Sequence, residues 1–391
     1  MHVTDFALDD YRSYKHAVVQ LKTGINVFLG ANGQGKTNLV EALAYLSTFT
    51  SHRVGAATAL VRLGNPGEKV AGAAVIRARA VEGERDRLLE LEIVRGKANR
   101  ARLNRGKVVP REILGIVKTV VFAPEDLQIV KGEPGGRRRF LDRILVQLQP
   151  VLAGVMAEHE KLLRQRAAVL KMGRATDLTT LDVWDQHLAR AASRIICARA
   201  RLIDQLRPLL SGAYQSVAPE SAPAFIAYES SLDKYFPPPR PADTAVAYDR
   251  ADLYDEDETY KKLTRTLRAV RSEELIRGRN LVGAHRDEMG IYLGQMPVRG
   301  YASHGETWSC ALALRLAEFA YLKEEIGEPI LILDDVFAEL DADRRGALAK
   351  VITACEQVVI TAAVTDDLPP LNEVTIFTVT KTEGGTVINH D

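Results

Sequence analysis

A chain of 391 residues, 46% apolar and with a formal net charge of +1, can form two domains, or one domain carrying a long insertion, around a sizeable core. Near-neutrality removes any global electrostatic case for nucleic acid, so a DNA-binding surface must be a local basic patch. Cys197, Cys310 and Cys355 lie far apart and argue against a disulfide framework or a zinc site, so a cytoplasmic location is expected; no signal-peptide pattern and no run of about 18 apolar residues is present, so no membrane span is expected.

Residues 3–8 and 17–29 read as short strands. Ile25 to Leu29 has the pattern of a buried strand and runs directly into Gly30-Ala31-Asn32-Gly33-Gln34-Gly35-Lys36-Thr37, which fits G-x-x-x-x-G-K-[ST]. Leu39, Leu43 and Leu46 then recur at helical spacing. Strand, glycine-rich loop and helix together make a phosphate cradle: backbone N–H groups converge on the phosphates, glycines permit their close approach, and the helix N-terminus favours anions. Gly30 to Asn38 are therefore candidate ATP-binding residues, with Lys36 on the β- and γ-phosphate oxygens and Thr37 as a Mg²⁺ ligand.

Residues 68–122 read as a β-meander that includes Thr119 to Phe122, with turns at Gly83, Gly96 and Asn104-Arg105-Gly106. Its hairpin carries Arg100, Arg102, Arg105 and Lys107. Alternate strand residues share a face, so Arg100 and Arg102 are predicted to project together. Pro124 starts a helix. From 137 to 278 long helical patterns dominate: Phe140 to Leu148, Val151 to Leu170 and Leu181 to Leu210. Between 137 and 205, 13 Lys and Arg face 7 Asp and Glu. Within this stretch Arg137-Arg138-Arg139 could be a solvated helix start or, with the hairpin arginines, a set of DNA phosphate contacts. Residues 236–260, Pro-rich and then acidic, read as a loop or edge hairpin.

From Gly283 the first pattern resumes. A helix is predicted over 306–323, a strand over 330–333, a helix near 342–354, and strands at 357–361, 374–379 and 385–389. The strand at 330–333 ends in Asp334-Asp335, 298 residues beyond Lys36 at Asp334. Asp334 is placed to hold Mg²⁺ and Asp335 to orient or deprotonate the attacking water. So wide a separation points to an ATP-binding domain split by an insertion. Ser303-His304-Gly305-Glu306 reads as a helix cap. Its place one helix before the Asp334 strand is also that of the Ser-x-Gly-x signature of ABC-type ATPases, which binds the γ-phosphate held by a partner subunit.

Five segments resemble the RecF family of bacterial recombination and repair ATPases, relatives of the structural-maintenance-of-chromosomes proteins: Tyr11-Arg12-Ser13-Tyr14; residues 30–43; Phe122 to Leu127 followed by Gly135 to Asp142; Val282 to Asp287; and residues 331–341. They span almost the whole chain in the family's order. The resemblance implies an α/β fold: an ABC-type P-loop ATPase head of mixed sheet plus β-meander, formed by residues 1–136 and 279–391, with an inserted, mainly helical arm at 137–278. It implies that Arg12 lies near the nucleotide. It also implies that Ser303, Gly305 and Glu306 act in trans across an ATP-dependent homodimer, and that Asp341 crosses that interface. His285-Arg286-Asp287 becomes a structural motif near the nucleotide rather than a metal site. The signature departs from the commoner Ser-Gln-Gly-Gln, and Thr361-Ala362-Ala363 stands where transporter ATPases carry a switch histidine.

The expected function is an ATP-dependent DNA-binding protein of recombinational repair and replication-fork restart. It is a slow, Mg²⁺-dependent, DNA-stimulated ATPase that closes as a homodimer on double-stranded DNA or gap junctions. RecO and RecR mediators are the partners the resemblance implies. An ABC transporter nucleotide-binding subunit is the alternative, followed by a scaffold with a degenerate ATP site.

Overall fold

The computed structural model describes residues 1–51, 53–64, 70–173, 178–238 and 249–390. Two compact units divide the chain: Met1–Asp126 with Leu314–Asp391, and Leu127–Ala313. The expected arm limits, 137 and 278, fall inside the second unit.

The first unit holds two six-stranded sheets. In one, β1 (His2–Tyr11), β2 (Tyr14–Gln20), β4 (Ala73–Glu82), β5 (Arg85–Val94), β6 (Arg100–Leu103) and β7 (Gly106–Val108) run antiparallel in the order β2-β1-β4-β5-β6-β7. Alternation is plain in β5, where Leu89, Leu91 and Ile93 face the core and Glu90 and Glu92 face out. The other sheet contains β3 (Gly24–Leu29), β8 (Thr119–Phe122), β12 (Ile330–Asp334), β13 (Gln357–Ala362), β14 (Val374–Thr382) and β15 (Gly385–His390), in the order β15-β14-β3-β13-β12-β8. Its centre is parallel and buried throughout, as continuous apolar runs such as Ile330-Leu331-Ile332-Leu333 require.

Helix α1 (Lys36–Thr48) contacts β1 of the first sheet and β8, β12 and β13 of the second. Leu39, Leu43 and Leu46 join one hydrophobic cluster with Phe6, Ile76, Phe28 and Ile332. A helix apolar on all sides needs cover on all sides, and two sheets provide it.

Thr119 to Phe122 does not belong to the meander. It pairs in parallel with β12, Ile330 opposite Thr119 through Leu333 opposite Phe122. All four residues are buried, which suits an interior parallel sheet better than a half-exposed antiparallel one.

The second unit contains α2 (Leu127–Lys131), α3 (Pro134–Leu148), α4 (Val151–Leu170), α5 (Leu178–Val217) and α6 (Glu256–Arg277), together with a three-stranded sheet, β11 (Met296–Pro297), β10 (Glu288–Leu293) and β9 (Ala224–Glu229). The unit boundary falls inside α7 (His304–Ile326). Of the stretch expected as a loop or edge hairpin, 239–248 lies outside the described residues. The acidic part is instead the start of α6: Asp255 accepts from the Asp257 and Glu258 amides, and three acids fill the first turn. Carboxylates there satisfy unpaired N–H groups and oppose the helix dipole. Just before it, Arg250 is wholly buried on Asp233 and Asp252. The last helix, α8 (Ala342–Ile352), returns to the first unit.

Candidate functional site: a phosphate loop facing a carboxylate strand

The loop after β3 is held from behind by the last two strands. At Gly30 a Cβ would stand 2.3 Å from the Val379 carbonyl oxygen, so no side chain fits. Gly35, with φ of 110°, caps α1, and a Cβ there would meet Ser13 Oγ and Thr386 Oγ1, each at 2.8 Å.

Lys36 is buried. Its Nζ donates to the Gly30 carbonyl at 2.7 Å and lies 3.8 Å from Asp335 Oδ1. Thr37 Oγ1 donates to Asp334 Oδ1 at 3.1 Å. The parallel pairing of β12 with β13 sets Asp334 opposite Thr361, whose hydroxyl donates to Asp334 Oδ1 at 2.7 Å and accepts the Asp335 amide at 2.9 Å. Asp335 turns out of the strand at φ of 51°. Burial pushes the Asp334 carboxyl up to about 6, against the hydrogen bonds from Thr361 and Thr37 and with help from the charges of Asp335 and Glu125.

This donor set fits Mg²⁺. A buried carboxyl pushed towards neutrality beside a threonine hydroxyl is a place where a cation would offset desolvation. Mg²⁺ is ordinarily held by one or two carboxylates plus phosphate oxygens and water. No group of three or more His, Cys, Asp or Glu side chains able to hold a metal exists among the described residues, so such an ion would draw on nucleotide oxygens.

An open cavity of about 450 Å³ lies over the loop. Asn32, Gly33, Gly35, Lys36, Thr37 and Asn38 line it, as do Arg53, Pro124, Asp335, Phe337 and Thr361. Arg12 is not among the lining residues. Its guanidinium is taken up by the fully buried Glu41, Nε to Oε2 at 2.9 Å and NH2 to Oε1 at 2.7 Å. Arg53 reaches the cavity instead, donating to Asn38 Oδ1 at 2.9 Å and lying 3.8 Å from Glu41 Oε2. No motif flags Arg53, which sits in a polar connection after α1.

Other expected residues fall elsewhere. In the second unit Ser303 and Glu306 form a reciprocal cap: the Ser303 amide donates to Glu306 Oε2 at 2.8 Å, and the Glu306 amide to Ser303 Oγ at 3.2 Å. Those bonds hold the Glu306 carboxyl below its usual range. His304 Nδ1 lies 3.4 Å from Lys131 Nζ, and Gly305 follows in the first turn. In the first unit Asp341 caps α8, accepting the Arg344 amide at 3.0 Å.

The basic candidates divide. Arg137 is 4% exposed; it forms a two-armed pair with Glu288, both contacts 2.7 Å, and donates to the Gly132 carbonyl. It has no face left for a phosphate, so the reading of Arg137 as a DNA contact is corrected to a structural one. Arg138 donates to the Asp287 carbonyl at 2.9 Å, while Arg139 is exposed. Arg100 and Arg102 do project on one face, but each meets a cross-strand acid, Glu92 at 3.4 Å and Glu90 at 3.0 Å. Arg105 is exposed in the β6–β7 turn. In the His285-Arg286-Asp287 segment, Asp287 is fully buried and accepts from Tyr228 Oη at 2.6 Å and the Ser231 amide at 2.7 Å, a structural role.

The chain matches the RecF/RecN/SMC N-terminal domain family over residues 2–386. It is 49% identical over 389 residues to the DNA replication and repair protein RecF of Beutenbergia cavernae, covering 94% of this chain and 95% of that protein. With RecF of Streptomyces avermitilis it shares 48% over 390 residues, covering 97% and 98%. Among solved structures it is similar to the recombination mediator protein RecF-ATPrS of the RecFOR pathway, with TM-score 0.84, 26% identity, and 100% and 98% of the two chains covered. It shares the fold of the SMC head bound to the C-winged helix domain of ScpA, at TM-score 0.54 and 15% identity over 100% and 98% of the chains. No helix among the described residues is long and apolar enough to cross a membrane. A match of this extent sets aside the transporter alternative, and the chain belongs to the RecF family of DNA replication and repair proteins, built on an ABC-type ATPase head.

Proposed function

We propose that this protein is an ATP-switched DNA clamp of recombinational repair, working in the cytoplasm. The observation that carries the reading is the meeting of Thr37 with Asp334, at 3.1 Å, across 297 residues of chain. Phosphate loop and carboxylate strand form one cavity, as an ATP site requires. ATP is the nucleotide found with a relative of similar fold.

Lys36 exchanges its contact with the Gly30 carbonyl for phosphate oxygens, and the loop amides bind the β-phosphate. Thr37 and Asp334 would hold Mg²⁺, which supplies charge neutralisation on the phosphates when bound. Asp335, beside Lys36 and outside the strand line, accepts the proton of the attacking water. Its side chain is one methylene shorter than glutamate, which suits a slow switch rather than a motor. Ser303, Gly305 and Glu306 of a second copy complete the γ-phosphate site, with Asp341 at the same interface. ATP therefore favours the closed dimer by its contacts with both copies. Double-stranded DNA or a gap junction is held in that dimer, DNA stimulates hydrolysis, and hydrolysis releases it. RecR and RecO mediators act with it, as the pathway named for its relatives suggests.

Gel filtration at micromolar chain with Mg²⁺ tests this. Dimer with ATP, and monomer with ADP or in Lys36→Ala with ATP, is the expected pattern. A chain that stays monomeric with ATP and DNA present would refute it.

A further inference from the structure

Three side chains that never reach the cavity decide which way the loop amides face. A trans peptide points its C=O and the following N–H to opposite sides. Thr386 Oγ1 lies 2.9 Å from the Gln34 carbonyl oxygen and 2.9 Å from Ser13 Oγ. Ser13 Oγ in turn receives Asn38 Nδ2 at 2.9 Å. A carbonyl only accepts, so the single Thr386 proton must go to Gln34. Ser13 must then donate to Thr386 and accept from Asn38. Arg53 NH1, donating to Asn38 Oδ1 at 2.9 Å, fixes the Asn38 amide in the orientation this needs. The result is a one-way chain, Arg53 to Asn38 to Ser13 to Thr386 to the Gln34 carbonyl, starting at the cavity wall and ending behind the loop.

The next peptide is held by two donors. Tyr14 Oη donates to the Gly35 carbonyl at 3.0 Å, beside the Leu39 amide of α1 at 3.2 Å. With the Gln34 and Gly35 carbonyls both engaged from behind, the Gly35 and Lys36 N–H groups are turned to the other side. Both residues line the cavity. The final hairpin adds grip: the Lys381 amide donates to Gln34 Oε1 at 2.5 Å. Thr386 and Tyr14 are 2% and 0% exposed, so neither can touch a nucleotide.

We propose that Thr386 and Tyr14 are positioning residues of the nucleotide site: they preset two phosphate-binding amides, and so make the β14–β15 hairpin a working part of it. This rests on the ATP-binding reading. The test is titration of ADP and ATP onto wild type, Thr386→Val, Thr386→Ser and Tyr14→Phe, with the thermal midpoint of each nucleotide-free chain. Thr386→Val and Tyr14→Phe should each weaken ADP and ATP by the same factor, roughly three- to tenfold, because the β-phosphate is common to both. Thr386→Ser, which keeps the hydroxyl, should restore affinity. Wild-type affinity in both Thr386→Val and Tyr14→Phe, or no rescue by serine, would overturn the proposal. Should Thr386→Val fail to fold, Tyr14→Phe, which removes one oxygen, decides it. A wild type that binds neither nucleotide would overturn the ATP-binding reading beneath it.

Discussion

Thr361 and Asp334 face each other across two parallel strands, and the threonine hydroxyl donates to the carboxylate at 2.7 Å while accepting the neighbouring Asp335 amide at 2.9 Å. One hydroxyl thus fixes the Asp334 carboxylate and the backbone of Asp335 together. It holds the two acids in register.

Thr361→Val keeps the shape and deletes both bonds. Hydrolysis at saturating ATP should fall by about tenfold or more, since misplacing a catalytic group by a fraction of an ångström is costly, while ATP affinity changes little. Steady-state rates against ATP concentration check this. A fall in affinity with an unchanged rate would contradict it.

Arg12 and Arg53 share Glu41 but should fail differently. Arg12→Ala leaves the wholly buried Glu41 short of its two-armed partner and should cost about 2–4 kcal/mol of stability. Arg53 is 36% exposed at the cavity, so Arg53→Ala should leave unfolding nearly unchanged and weaken ATP binding roughly tenfold. Denaturant unfolding and nucleotide titration on the two variants separate the roles.

Arg166 is the buried hub of the second unit, with Asp185 and Glu274 each at 2.6 Å and Asn280 at 2.7 Å. Arg166→Ala leaves buried Glu274 with the Leu281 amide but no cation and Asp185 with Arg271 alone, and should cost about 3–5 kcal/mol, read by denaturant unfolding. Arg137→Ala should likewise destabilise this unit. Arg139→Glu should leave stability alone and reduce DNA affinity most at low salt.

His159 and His285 pack with ring centroids 6.0 Å apart. Burial, joined by the charge of Arg199, lowers His159 to about 4. Burial, joined by His159 and Arg286, lowers His285 to about 3. Below the unfolded value of about 6.5 the unfolded chain takes up protons that the folded chain refuses. The contribution of these two rings is therefore full above about pH 6.5 and is lost as pH falls towards 4, by about 1.4 kcal/mol per pH unit for each ring. His159→Phe should roughly halve that slope between pH 6 and 5 in thermal unfolding.

Motifs made of consecutive residues were legible. The loop 30–37, the apolar run ending in Asp334-Asp335 and the Ser303 cap each carry their chemistry in local spacing. Strand partners were not. Periodicity marks Thr119 to Phe122 as a strand but says nothing of which strand it joins, and only burial on every side reveals a parallel neighbour. The sheet β9–β10–β11 is hard to see in the sequence because α6 separates β9 from β10 and β11 is only two residues long. Arg53, Tyr14 and Thr386 come from three segments that meet only in the fold, and Arg137 reads as a surface cation until Glu288 is placed against it. Side chains that act on a site from behind leave no spacing to find.

Binding of double-stranded DNA with Mg²⁺-ATP, with ADP and without nucleotide, for wild type and Lys36→Ala at one stated salt concentration, tests the clamp most directly. The account predicts tight binding only for wild type with ATP. Equal binding in every condition would mean that the ATP site does not gate DNA, and would contradict it.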